Sequence, residues 1–381
     1  MKFKNSTKLV FFVNCPNFFL SHRLELALRA KDDGHEVHVI APKTGKYIDI
    51  QKKGINFHEI KLIRSKFKLF SEISSMYRLN TLLNYIQPNI IHNVTIKPIL
   101  YGTFVSLFHK SIKVVNAISG FGYIFSTHSI KTQFLKFFLL IFFKILFLSK
   151  RVWVIVQNSD DRYILNSKKI IPESRIVLIK GSGVNLKEFP IQHKYPKEKN
   201  VVLMSRMLWD KGVGEFVEAA KSIQTKHSDI NFFLVGDPDV NNPQNIDTKQ
   251  LQTWHNSGVI KWIRHTNDQL EIFKMSTIVC LPSYREGLPK VLLEAASCAK
   301  AIIATDVPGC REIVKHNING ILVPCKDSNN LAKAIIYLLN NTSMLKRMGL
   351  EGRKIVEEEL NIDLVIMNTI NLYNKITKTS K

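Results

Sequence analysis

The stretch Ser283-Tyr-Arg-Glu-Gly-Leu-Pro-Lys-Val-Leu-Leu-Glu294 lies between two unlike patterns. Before it, the apolar run Thr277-Ile-Val-Cys-Leu-Pro282 has the composition of a buried strand. From Pro289 onward, Lys-Val-Leu-Leu-Glu-Ala-Ala has that of a helix. Pro289 suits the first helical position, where a missing N–H costs nothing. The loop therefore presents free backbone N–H groups at a helix N-terminus, a ready anion site. Glu286 stands in the loop, and Glu294 about a turn and a half into the helix. An anion cradle framed by two acids suits a ligand carrying both a diphosphate and hydroxyl groups, such as a nucleotide sugar. The same spacing also suits a simple Lys290–Glu294 pair at i, i+4.

Outward from this stretch, strand-like and helix-like runs alternate. Strands are expected at Lys8–Asn14, Glu36–Pro42, Asn89–Asn93, Lys113–Ala117, Val152–Val156 and Arg175–Ile179, with a helix over Phe18–Lys31. A second series follows at Val201–Ser205, Asn231–Val235, Val259–Ile263, Thr277–Leu281, Ala301–Ala304 and Ile321–Pro324. Apolar strands alternating with helices mean parallel sheets covered on both faces. Between the series, Gly181–Asn200 is turn-rich and polar, which marks a linker. The expected division is residues 1–185, residues 186–358, and a helical tail over 359–381, with helices expected at Leu331–Asn340, Glu351–Leu360 and Ile362–Lys378. Two doubly wound domains facing a cleft would bind ligands outside the carboxyl ends of their strands.

Of the 381 residues, 45% are hydrophobic, ordinary for a globular chain, but the net charge of +23 is not. It predicts attraction to polyanions: nucleic acid, anionic lipid or phosphorylated substrates. Five cysteines without CxxC or metal-ligand spacing read as reduced thiols of a cytosolic protein. No signal peptide is expected. Phe134–Leu148 is strongly apolar, yet Lys136 and Lys144 interrupt it, and it is short for a bilayer span. It predicts an interfacial helix over about residues 131–150, supported by the basic cluster Lys61, Arg64, Lys66 and Lys68. A buried helix with snorkelling lysines is the alternative.

Several further segments can carry chemistry. Ser205-Arg206-Met-Leu-Trp-Asp-Lys211-Gly212 follows a strand and supplies two cations, a fork and a point charge suited to a diphosphate. Gly181-Ser182-Gly183, Gly120-Phe-Gly122 and Gly212-Val-Gly214 are glycine doublets after strands, none a full GxGxxG. Asp237-Pro-Asp239 is formally a DxD metal motif but lies in a Pro/Asn-rich loop, and no metal is assigned to it. In the first half, Ser21-His22-Arg23 at the opening of the first helix and Lys97 after a strand are candidates for an acceptor phosphate.

From Phe18 to its end the chain resembles the retaining glycosyltransferases of family 4, which have the GT-B fold. Phe18–Arg23, Thr95–Pro98 with Gly120–Tyr123, Ser205–Gly214 and Ser283–Glu312 carry the resemblance, and Glu286 and Glu294 match the Glu-x7-Glu motif. The subgroup it resembles acts on undecaprenyl-diphosphate-linked sugars in O-antigen, capsule or protein-glycan assembly and includes N-acetylgalactosaminyltransferases with UDP donors. The resemblance implies an α/β, GT-B architecture of two Rossmann-like domains, with the C-terminal helix crossing back to the first. It implies donor contacts from Glu294 to the ribose, from Glu286 to the sugar, and from Gly287, Leu288, Pro289, Ser182 and Gly183 around them. Arg206 and Lys211 would stabilise the leaving diphosphate. His22, Lys97, Gly120 and Gly122 would meet the acceptor. Many members place a His or Asp where this chain has Ser119-Gly120, so no catalytic group is carried over there.

The expected activity is retaining transfer of a sugar, N-acetylgalactosamine or a related HexNAc, from a UDP-sugar to a lipid-linked saccharide. No metal or other cofactor is expected, and the site is the cytoplasmic face of the inner membrane, peripherally bound to anionic lipid. A hexosyltransferase with another acceptor, a catalytically dead sugar-nucleotide sensor and a basic nucleic-acid-binding protein are the alternatives. The phenylalanines gather in one apolar helix rather than interleaving with base-contacting polar residues, which argues against nucleic acid.

Overall fold

The structure, a computed structural model, describes residues 7–62, 69–119, 130–240 and 242–378, with the side chains of residues 69 and 130–132 also outside the description. The chain divides into two compact units, residues 1–182 with 363–381, and residues 183–362.

In the first unit, runs such as Leu-Val-Phe-Phe-Val and Val-Trp-Val-Ile-Val supply the β-branched and aromatic residues that favour strands buried on both faces. These are β1 (Lys8–Val13), β2 (Glu36–Ala41), β3 (Asn56–Glu59), β4 (Ile90–Val94), β5 (Lys113–Ile118), β6 (Val152–Val156) and β7 (Ile176–Leu178). They form one sheet in the order β3-β2-β1-β4-β5-β6-β7, with every pair parallel. The chain moves outward from β1 to β3, then returns to β4 on the other side. That reversal between β1 and β4 is a topological switch point.

The second unit repeats the plan with β8 (Lys199–Met204), β9 (Ile230–Val235), β10 (Lys261–Ile263), β11 (Ile278–Leu281), β12 (Ala301–Thr305) and β13 (Gly320–Val323). Their order, β10-β9-β8-β11-β12-β13, is again all parallel and reverses between β8 and β11. The chain is thus α/β with two doubly wound sheets. Helix Ile362–Lys378 belongs to the first unit, where the Tyr373 hydroxyl hydrogen-bonds His92 Nδ1 on β4.

Three local expectations are corrected. The helix expected over Phe18–Lys31 is two helices, Pro16–His22 and Leu24–Asp32, which break at Arg23 (φ −133°, ψ −8°). Arg23 turns inward, is buried, and donates from Nη1 to the His22 carbonyl at 3.0 Å. His22 therefore ends a helix instead of opening one. Pro289 is the N-cap of helix Lys290–Ser297 (φ −73°, ψ 115°), not its first residue, and its carbonyl accepts from Leu292 N at 3.1 Å. The helix expected over Glu351–Leu360 is the end of Thr342–Ile355 followed by a π turn, Val356–Leu360.

Candidate active site

The carboxyl ends of β8 and β11, neighbours at the second unit's switch point, carry the segments Ser205–Gly212 and Pro282–Pro289. After β8 the chain makes a short 3-10 turn, Trp209–Lys211, and enters helix Val213–Gln224 through Gly212 at φ +71°. A Cβ on Gly212 would strike the Pro282 carbonyl, so glycine is what lets the two loops touch. Tyr284 N donates to the Asp210 carbonyl at 2.9 Å, and the Tyr284 hydroxyl donates to Glu215 Oε1 at 2.7 Å. The loop after β12 joins them. Gly309, at φ +80°, lies against the backbone carbonyls of Glu286 and Gly287, and Thr305 Oγ1 donates to the Ser283 carbonyl.

On this frame Lys211 Nζ meets Glu286 Oε1 at 2.5 Å, with 18% and 11% of the two side chains exposed. Screening by water is weak at that burial, so each charge holds the other in place. Asp210 lies beside the pair. Its Oδ1 is buried without a hydrogen-bond partner, and burial raises its pKa above the usual carboxylate range against the pull of Lys211. Asp210 is not among the residues the motifs single out; its one signal in the sequence is an acid set between the two cations Arg206 and Lys211.

Glu294 occupies the buried side of helix Lys290–Ser297, only 2% exposed. Lys290 Nζ stands 3.3 Å from Oε1, an ion-pair contact without hydrogen-bond angles, so Oε1 accepts no hydrogen bond. Burial pushes the Glu294 carboxyl up to about 7, with Lys290 pulling the other way. The i, i+4 pair is therefore present, but it leaves a buried acceptor unsatisfied. Among the residues of this loop, the Leu288 side chain belongs to the core beside Leu292 and Val307, which leaves its backbone for any ligand. Ser283 Oγ is likewise buried without a partner.

Other expected site residues stand differently. Arg206 is half-exposed and paired with Asp239 at 2.6 Å, while Arg264 holds Asp237 at 2.7 Å, so arginines engage both acids of the formal DxD. Among the described residues no group of three or more His, Cys, Asp or Glu could hold a metal ion. Gly183, at φ +71°, packs against the backbone of Asn361 and Ile362, where Val184 N donates to the Leu360 carbonyl at 3.2 Å. Ser182 is buried. In the first unit, His22 stacks on Phe18 at 4.1 Å and its Nδ1 lies 2.6 Å from Ser21 Oγ. Lys97, just past β4, pairs with buried Glu72 at 2.6 Å, and the Tyr101 hydroxyl donates to the same carboxylate at 2.6 Å. His22 and Lys97 thus follow the neighbouring strands β1 and β4. Gly120 and Gly122, with Arg64, Lys66 and Lys68, lie outside the described residues.

Two family models together span most of the chain. "Glycosyl transferase 4-like" matches residues 8–158, and "Glycosyl transferases group 1" matches residues 185–355. The chain belongs to the GT-B glycosyltransferases of the family 4 type. The transferase is 27% identical, over 94% of its length and 98% of the relative's, to the N,N'-diacetylbacillosaminyl-diphospho-undecaprenol alpha-1,3-N-acetylgalactosaminyltransferase of Campylobacter jejuni. Its fold matches a glycosyltransferase from Rickettsia africae with a TM-score of 0.80 at 20% identity, covering 99% of this chain and 100% of that one. It also matches Anabaena Alr3699/HepE, solved with UDP and glucose, with a TM-score of 0.77 at 14% identity over 96% and 99% of the two chains. In this transferase the second unit's loops occupy the group 1 match, and His22 and Lys97 the 4-like match.

Proposed function

We propose that the chain transfers a sugar, N-acetylgalactosamine or a related HexNAc, from a UDP-sugar to an undecaprenyl-diphosphate-linked saccharide with retention of anomeric configuration. The observation that carries this reading is the buried Glu294 Oε1, which accepts no hydrogen bond, on the same loop-to-helix segment as Glu286, the partner of Lys211. A buried carboxylate oxygen without a donor is costly, and two ribose hydroxyls supply the donors it lacks. The named substrates of the Campylobacter jejuni relative support the acceptor class, and the UDP held by Anabaena HepE supports the donor.

In this reading the donor diphosphate meets Lys211 and Arg206, which stabilise the negative charge that grows on it as the glycosidic bond breaks. Arrival of the diphosphate draws Lys211 from Glu286 and frees that carboxylate to hold the sugar. Backbone N–H groups at the start of helix Lys290–Ser297 face the phosphates. The acceptor hydroxyl attacks the oxocarbenium-like sugar from the face the diphosphate leaves and gives its proton to the departing diphosphate oxygen. His22, Lys97, Gly120 and Gly122 serve the acceptor, and Ser182 and Gly183 border the donor. No metal is required, because two side-chain cations supply the charge. The reaction takes place at the cytoplasmic face of the inner membrane.

The test is a panel of UDP-sugars with lipid-linked acceptors, followed by UDP release and the anomeric configuration of the product. UDP-HexNAc-dependent release with an α-linked product supports the reading. Release only from UDP-glucose moves it to the hexosyltransferase alternative, and an inverted product removes the retaining mechanism.

A further inference from the structure

Charge is distributed very unevenly along this chain. Residues 60–159, about a quarter of it, carry thirteen Lys or Arg and a single acid, Glu72, for a net charge of +12 out of +23. That acid is buried beneath Lys97 and Tyr101 and contributes nothing negative to the surface. Large apolar side chains follow the same division. Of the twenty-two found exposed among the described residues, fourteen lie between Phe70 and Leu148.

These residues share one layer of the first unit. Helices Leu69–Ile86, Ile96–Ser106 and Ile130–Leu146 bury Leu79, Val105 and Phe143, among others, in one core cluster with Val10, Ile91 and Val114 of the sheet. All three helices therefore cover the same sheet face, and the middle one packs against both neighbours. Their outward sides carry large apolar residues where the solvent face of a doubly wound sheet's helices is ordinarily polar. Phe70 is 88% exposed, Tyr77 75%, Phe108 72%, Phe134 62% and Phe138 55%. Arg78 and Lys144 on two of these helices, and Lys110 and Lys150 just past the ends of two, are exposed as well. No helix among the described residues is long and apolar enough to cross a membrane.

We infer that this three-helix layer is a docking face for the surface of an anionic bilayer. Its aromatic rings enter the headgroup boundary, and Arg78, Lys110, Lys144 and Lys150 meet lipid phosphates. Charge selects this occupant. A second copy placed isologously would set the basic face against itself. The rings lie on the outer turns of packed helices and Phe134, Phe137, Phe138 and Phe142 crowd onto one helix, an arrangement that makes a poor stacking track for nucleic acid. The face includes Phe70, Ile73, Tyr77 and Tyr85 of the first helix, so it is wider than the single apolar helix the sequence singles out.

The test is co-sedimentation of the full chain with phosphatidylglycerol-containing vesicles and with phosphatidylcholine vesicles across a salt titration. Binding to the anionic vesicles that weakens with salt is expected. The pairs Phe138→Ser with Phe142→Ser, and Phe70→Ser with Tyr77→Ser, should each lower partitioning at least about tenfold, as lost aromatic burial requires. All four positions are exposed, so thermal unfolding and UDP release with a water-soluble acceptor analogue should not change. Failure to bind anionic vesicles, tighter binding of RNA at matched salt, or a dimer abolished by the same pairs overturns the inference. A null result for Phe70→Ser with Tyr77→Ser alone reduces the face to one helix and overturns the layer. Lost UDP release with vesicle binding intact counts only against the proposed activity.

Discussion

The loops of the second unit and the helical layer of the first handle charge in opposite ways. Around β8, β11 and β12, each cation is held against an acid: Lys211 with Glu286, Arg206 with Asp239, Lys290 with Glu294. Across residues 60–159 the charge has one sign, and the one acid is hidden. A site that moves charge during a reaction needs both signs held in fixed geometry, so that substrate can exchange with one partner. A surface that meets a polyanion needs only excess charge and apolar area, and position along the chain matters little. The first kind is written in short motifs; the second is spread over a hundred residues.

The largest expected effect lies in the second unit. Lys211→Ala should lower turnover at least about 100-fold, as loss of a group stabilising transition-state charge does; near wild-type UDP release would remove Lys211 from the chemistry. Glu286→Gln should act mainly on turnover, whereas Glu294→Gln should act mainly on donor KM, raising it about tenfold or more, since an ionised acceptor of ribose hydroxyls is lost. Equal effects of the two on both parameters would dissolve the division of roles.

Arg206→Ala should cost less, about tenfold in turnover. The side chain is half-exposed and shared with Asp239, so its removal should leave thermal stability unchanged within error. A loss as large as that of Lys211 would show that donor arrival transfers Arg206 wholly from Asp239 to the diphosphate.

Acidity provides a subtler break. Burial raises the folded pKa of Glu294 to about 7 from the ordinary 4.5, so between those limits the folded chain binds a proton that the unfolded chain lacks. The stabilisation is complete below about pH 4.5 and is lost as pH rises through 7, at most about 3 kcal/mol in total. Denaturant unfolding of the wild type at pH 5 and pH 7.5 should show this loss relative to Glu294→Gln, in which it should be absent. Donor affinity should run the opposite way, rising as Glu294 ionises. Parallel trends in stability and affinity would refute the ribose role.

Gly309→Ala gives the smallest effect on chemistry but a sharp one on folding. Its φ of +80° and the carbonyls of Glu286 and Gly287 leave no room for a methyl group. A loss of about 1–3 kcal/mol is expected in chemical denaturation. The same change at Gly34, with φ +93° and open space around it, should cost only the backbone strain, about 1 kcal/mol.

Most strands were legible because parallel strands buried on both faces are continuous apolar runs; Val152–Val156 and the terminal helix Ile362–Lys378 fall where the pattern puts them. β3, Asn-Phe-His-Glu, was not, since it is a half-exposed edge strand without an apolar run. The break at Arg23 was hidden because the helical pattern continues through it, and only the inward turn of its guanidinium interrupts the geometry. Helix Leu69–Ile86 went unread because it is apolar on both sides, with Leu79, Leu82, Leu83 and Ile86 buried and Phe70, Tyr77 and Tyr85 exposed, so no single apolar stripe marks it. In the candidate site the residue types were visible, but the Lys211–Glu286 contact spans 75 positions in sequence and only the fold brings the pair together. The unsatisfied oxygen of Glu294 has no signature in sequence, because it depends on what fails to reach it.

The division of the chain has a consequence for its synthesis. The first unit begins at the amino end but is completed by helix Ile362–Lys378, whose Tyr373 reaches His92 across 281 positions. The second unit lies wholly between these two parts. During translation it can close its sheet while His92 still waits for the helix whose Tyr373 pairs with it. The last-made segment therefore finishes the first-made sheet, and premature release before residue 362 would free a folded second unit attached to an unfinished partner that chaperones must recognise.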